Sequence, residues 1–148
     1  MTSVNLRFPD DELHAPLLMG LLFRHVHDVF ASEDWGGLRQ SHFRVVAWVP
    51  PEGVSVTELA DRVGMTKQGV GQFVTHLVGT GHLSEGADPG DRRVRLVRRT
   101  RKGRELVAAV RGRNLRIEKD WADQVGEARY RVFRTVLEEI ALGRSASE

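Results

Sequence analysis

Between Arg92 and Arg104 the chain places eight Lys or Arg residues, at positions 92, 93, 95, 98, 99, 101, 102 and 104, and no acid. Cations at this density suit a polyanion, because each phosphate they neutralise releases condensed counterions. The formal net charge of the whole chain is only +2, so the run is a local concentration. A second group lies just upstream. Thr66, Lys67, Gln68, Gly71, Gln72, Thr75 and His76 include hydrogen-bonding side chains of several kinds but no carboxylate. Such residues meet nucleic-acid bases and phosphates: Lys donates to guanine N7 and O6, Gln bonds adenine through two contacts, and Thr and His reach phosphates.

To act together, the second group needs a helix. Val70, Phe73, Val74, Leu77 and Val78 recur at i, i+3, i+4, i+7 and i+8, which predicts a helix with Thr66 as its N-cap and those five residues facing the core. The polar residues then take the opposite face. Gly69 and Gly71 each cost such a helix about 1 kcal/mol relative to Ala. Close approach to DNA or close packing on a neighbouring helix would each offset that. Upstream, VSVTELADRVG pairs Ser55 with Glu58 as a capping box, buries Leu59 and Val63, and stops at Gly64. Two short helices joined around a glycine form a helix-turn-helix.

The basic run needs a hairpin. HLSEGA and VRLVR are extended runs flanking the turn DPGD. An Arg at a hairpin tip can enter a narrow A·T-rich minor groove, where the negative potential is enhanced. Arg93 is placed for that, with Arg92 and Arg95 available to phosphates. If all three lie in the strand, Arg93 and Arg95 share one face and Arg92 takes the other. Arg101, Lys102 and Arg104 fall in the first turn of the next helix, where the dipole disfavours cations. A nearby phosphate or simple solvation would each account for them.

Helical periodicity also marks residues 16–31, 38–49, 100–125 and 127–142. None of the five prolines lies beyond residue 89, so the last two helices can run long; the tail GRSASE should fray. The 148 residues are 41% hydrophobic and 28% charged, without cysteine, which suits one globular domain in a reducing compartment and excludes thiolate chemistry. No signal peptide or membrane span is read, so a cytoplasmic location is expected. His25 and His27 lie about 200° apart on a helix and cannot share an ion. A set of His14, His25, His42 and Asp28 stays open. No phosphate loop, nucleophile elbow or carboxylate pair is found, so no catalytic residue and no cofactor is assigned and no enzyme is expected.

Residues 57–103, TELADRVGMTKQGVGQFVTHLVGTGHLSEGADPGDRRVRLVRRTRKG, resemble the MarR family of winged helix-turn-helix transcriptional regulators. They carry a helix-turn-helix, then Asp-x-Arg, a basic strand and Thr-x-x-Gly, here Asp91, Arg93, Thr100 and Gly103. The resemblance implies a mainly α fold with a small β-hairpin wing (α+β). It implies one domain over 1–148, with a DNA-binding lobe at 38–100 and dimerisation helices at 10–31 and 101–142. It further implies that Arg93 enters the minor groove with Asp91 orienting it. Arg99 departs from the Leu usual before the Thr. The expected function is a homodimer that binds double-stranded DNA at a pseudo-palindromic operator, most simply as a repressor. A small aromatic or lipophilic effector would release it, with Trp35, Trp48 and Phe23 as core, interface or effector-cavity residues. Two other readings stay open: a winged-helix module for protein interaction or non-specific nucleic-acid binding, and a small metal-dependent enzyme using the histidines.

Overall fold

The computed structural model describes residues 13–144; the start of the expected helix from residue 10 and most of the expected frayed tail lie outside them. Helix α1 (Ala15–Ala31) opens at His14, whose Nδ1 accepts a hydrogen bond from the Leu17 amide at 3.2 Å, with Pro16 in its first turn. Helix α2 (Gln40–Ala47) is shorter than the periodicity over 38–49 predicted. Leu38 and Val49 are buried, so the pattern found core residues there that are not helical ones.

Helix α3 (Val56–Val63) starts where Ser55 Oγ accepts from the Glu58 amide and ends at Gly64, whose left-handed φ of 71° reverses the chain. Helix α4 (Lys67–Gly79) follows at once, capped by Thr66 Oγ1 on the Gly69 amide at 3.0 Å. Val70, Val74 and Leu77 are fully buried and Phe73 half-buried, but Val78 is 38% exposed and does not face the core as expected. It sits about 80° around the helix from Val70, at the edge of the buried arc.

Strands β1 (Leu83–Ala87) and β2 (Arg95–Arg99) form an antiparallel hairpin with Leu83 opposite Arg99 and Ala87 opposite Arg95. Val54 adds a third rung, exchanging both ladder bonds with Val97 at 3.0 and 2.7 Å. Val54, Leu83 and Val97 are all buried, so the hairpin base belongs to the core. That core joins the helix-turn-helix to an aromatic group of Phe30, Trp35 and Phe43, with ring centroids 5.0–5.7 Å apart.

Helix α5 (Arg101–Val125) begins against β1. Thr100 Oγ1 accepts from the Gly103 amide at 3.1 Å and donates to the Gly81 carbonyl at 2.5 Å, while the Thr100 amide donates to the His82 carbonyl. A Cβ on Gly103 would lie 2.0 Å from the His82 carbonyl oxygen. Helix α6 (Glu127–Leu142) then folds back, Tyr130 and Arg134 both donating to Glu118 of α5. It buries no residue, and α1 fully buries only Phe30. No helix among the described residues is long and apolar enough to cross a membrane.

The Gly103 contact is with backbone, which cannot swing away. Gly103→Ala should therefore cost about 1–3 kcal/mol through overpacking, seen as a melting temperature lowered by several degrees in thermal denaturation. An unchanged melting temperature would show that α5 can lift off β1 freely.

Candidate nucleic-acid interface

Helix α4 presents Lys67, Gln68, Gln72, Thr75 and His76 at its exposed surface, with Thr66 exposed at its cap and Gly71 partly covered. Three details sharpen the sequence reading. First, Thr75 Oγ1 donates to the Gly71 carbonyl at 3.0 Å. Its proton is therefore engaged, and what it offers outward is a methyl and an acceptor, suited to a thymine methyl rather than a phosphate. Second, the two glycines have different causes. A Cβ on Gly69 would crowd Thr66 Oγ1 at 3.0 Å, so that glycine serves the N-cap, which neither sequence account foresaw. Nothing lies within 4 Å of a Cβ on Gly71, so its lack of a side chain leaves open space on the outer surface. Third, His76 sits against His42 of α2, ring centroids 5.1 Å apart.

The wing tip corrects the strand reading of its arginines. Strand β2 begins only at Arg95, and Arg92 and Arg93 lie in the turn before it, where alternation of faces does not hold. Asp91 Oδ1 accepts from the Arg93 amide at 3.0 Å and the Asp91 carbonyl accepts from the Val94 amide. Asp88 Oδ1 closes a second small turn on the Gly90 amide. Asp91 thus sets the backbone that carries Arg93 rather than gripping its guanidinium. Arg92, Arg93 and Arg95 are exposed, and among the described residues only Arg95 of the three has an acidic neighbour, Glu85 at 4.0 Å.

The other five cations of the run each have a neighbour within the chain, although Arg101, Lys102 and Arg104 stay exposed. Arg98 lies over Gly53, where a Cβ would meet its Cγ at 3.0 Å. Arg99 donates through Nε to the Val46 carbonyl at 2.9 Å and through Nη2 to the Ala47 carbonyl at 2.7 Å, at the C-terminal end of α2. Burial of its guanidinium lowers its pKa from the usual arginine range. Arg101 pairs with Glu105, Lys102 Nζ donates to the Thr80 carbonyl at the end of α4 at 2.8 Å, and Arg104 donates to the Arg99 carbonyl. Phosphate contact and simple solvation were the two accounts of Arg101, Lys102 and Arg104; all three are exposed to solvent, and each also has a partner within the chain. For Lys102 that partner is a helix C-terminus, which favours a cation.

The histidines go to different places. His14 caps α1, His25 packs near Trp121, and His42 is buried with Nδ1 accepting from the Arg39 amide at 3.0 Å. Among the described residues no three His, Asp or Glu side chains converge as a metal site. The three aromatic residues named from the sequence also divide. Trp35 is in the aromatic core, donating to the Phe30 carbonyl, whereas Trp48 is 49% exposed and Phe23 is 71% exposed. Sequence periodicity had no means of finding the Arg99 and Lys102 bonds or the His42 and His76 pair, which join distant segments.

These elements, a helix-turn-helix with a basic hairpin held between long N- and C-terminal helices, define a winged-helix fold. Residues 37–94, from the start of α2 to the wing tip, match the model of the MarR family. The chain is 29% identical over 129 residues to the uncharacterised protein Rv2011c of Mycobacterium tuberculosis, covering 87% of this chain and 88% of that one. Its fold matches the PcaV transcriptional regulator of Streptomyces coelicolor in complex with its natural ligand, with a TM-score of 0.68 and 21% identity over 95% of this chain and 99% of that one. It likewise matches the transcriptional repressor CouR, known from Rhodococcus jostii RHA1, bound to a 23-mer DNA duplex, with a TM-score of 0.68 and 21% identity over 86% and 92% of the two chains. Over residues 37–94 the chain is thus similar to the MarR family, and its overall fold is the winged-helix fold of these solved structures.

Burial, then His76 and Arg39, lower the pKa of His42; burial, then Lys102, His42 and His76, lower that of His82. A folded pKa below the unfolded value of 6.5 means that folding releases protons. The stabilisation is complete above that value and is lost as pH falls through the lowered folded values. Urea unfolding free energy should therefore decline on acidification below about pH 6.5, and His42→Gln should flatten the decline. Stability rising over that range would contradict the burial of neutral imidazoles.

Proposed function

We propose that the chain is a sequence-specific DNA-binding transcriptional regulator that acts as a homodimer, in the manner of a repressor. The observation that carries this is the placement on one lobe of an acid-free polar helix face and a wing tip bearing Arg92, Arg93 and Arg95. Together they match a major groove and its flanking minor groove. Lys67, Gln68 and Gln72 are the base-reading candidates, and Arg93 the minor-groove one.

The dimer rests on the other half of the molecule. Leu18, Met19, Leu22, Phe23, Phe133 and Leu137 line an apolar groove of about 380 Å³ between α1, α5 and α6, and Ile140 is 75% exposed. Apolar surface of this continuity marks an interaction face. A second copy covering it would relate two α4 helices by a two-fold and set them about 34 Å apart, one helical turn of DNA.

An effector fits the aromatic clefts between the lobe and the long helices. Phe30, Gln40 and Phe43 line both a cavity of about 450 Å³ that includes His27 and Trp35 and one of about 540 Å³ that includes Phe23, Ala47 and Asn114. These volumes suit a small aromatic ligand. Such a ligand would act only through different affinity for the DNA-competent and incompetent arrangements of the two lobes.

Selection of binding sites from random duplexes tests the function. The expected product is a pseudo-palindrome with half-site centres about one turn apart; enrichment of no sequence over competitor DNA would refute the proposal. Gln72→Ala should lose discrimination at one position by about 1–3 kcal/mol. Uniform weakening across sequences would instead move Gln72 to the phosphates.

A further inference from the structure

For the wing tip and α4 to meet one duplex at once, the angle between hairpin and helix-turn-helix must be fixed. Among the described residues, ladder bonds do this at one place. Val54 and Val97 exchange two hydrogen bonds midway along β2, a pivot about which a lone hairpin can rock. Arg99, the last residue of β2, lies two residues beyond that pivot, on the side away from the tip. It bonds carbonyls 53 and 52 residues earlier in the chain, Val46 through Nε at 2.9 Å and Ala47 through Nη2 at 2.7 Å. The acceptors are end carbonyls of α2, which carry the negative pole of that helix. A planar fork with two directed donors fixes orientation as well as distance, which an ammonium on a flexible stem does not.

We propose that Arg99 is a positioning residue for DNA binding: its guanidinium clamps the base of the wing to the C-terminal end of α2, so that Arg92 and Arg93 reach DNA in register with α4. The pivot and the clamp are two attachment points, and two points remove the rocking that one allows. Arg99 itself faces inward and touches no DNA. This role rests on the DNA-binding reading above.

The test is a double-mutant cycle on a duplex recovered by binding-site selection, with affinities taken from fluorescence anisotropy at one fixed salt concentration. Arg93→Ala is compared in the native background and in Arg99→Leu, with melting curves confirming that each variant is folded. Should Arg99→Leu melt too low to assay, Arg99→Gln replaces it. The expected result is a loss of about tenfold from Arg93→Ala in the native chain and at least about threefold less in the Arg99→Leu background. Arg99→Lys keeps the charge but lacks the fork, and should also show the reduced coupling. Equal losses in both backgrounds, or native coupling in Arg99→Lys, would overturn the clamp and leave Arg99 as charge alone. No loss from Arg93→Ala in the native chain would refute the wing's part in DNA binding, and the clamp with it. Absence of binding to every duplex would instead refute the DNA-binding reading itself.

Discussion

The winged-helix lobe hangs from one corner, where β2 turns into α5. Thr100 caps α5 and ties it to Gly81, its amide bonds the His82 carbonyl, and Gly103 lets the new helix lie directly on that carbonyl. A side chain at Gly103 would push α5 away from β1, and the residues around it would lose their partners. Arg99, one residue before the corner, reaches the end of α2, and Lys102, two residues after it, reaches the end of α4. The Gly103 contact, the Arg99 fork and the Lys102 bond thus join at one corner, where the base of the wing meets the ends of α2 and α4.

The same corner explains how so dense a run of cations is tolerated. Like charges crowded at the first turn of α5 oppose its dipole. The chain answers by sending Lys102 and Arg99 to the negative ends of two other helices and Arg101 to Glu105. An exposed pair such as Arg101 with Glu105 contributes little, whereas cations at helix C-termini act where unpaired carbonyls gather. Among the described residues of the run, Arg92 and Arg93 at the wing tip are left exposed without such a partner, on a turn shaped by Asp88 and Asp91.

Local signals were legible in the sequence. Ser55 with Glu58, Gly64, and Thr66 are neighbours whose caps form within a few residues, so α3 starts and stops and α4 starts as read, although the Glu58 carboxylate pairs with Arg62 rather than completing the capping box. The absence of proline beyond residue 89 likewise allowed α5 and α6 to be placed. Periodicity failed where burial and helicity part company: Leu38 and Val49 are buried outside α2, and Val78 is helical but exposed. It failed also at Arg92 and Arg93, because a turn held by Asp91 precedes the strand. The division of the cations was not legible, since Arg99 bonds residues more than fifty positions away and no spacing rule spans that distance. His42 under His76 is hidden for the same reason.

The basic run is divided, with Arg92 and Arg93 exposed at the wing tip and Arg99 bonded to the end of α2. Guanidinium Nε–H resonances of isotopically labelled protein, followed through a titration with a selected duplex, test it most directly. The account predicts that Arg99 is already protected from solvent exchange in the free protein and stays unchanged, while Arg92 and Arg93 exchange freely at first and become protected on binding. Protection of Arg99 appearing only with DNA, or tip arginines that never respond, would contradict it.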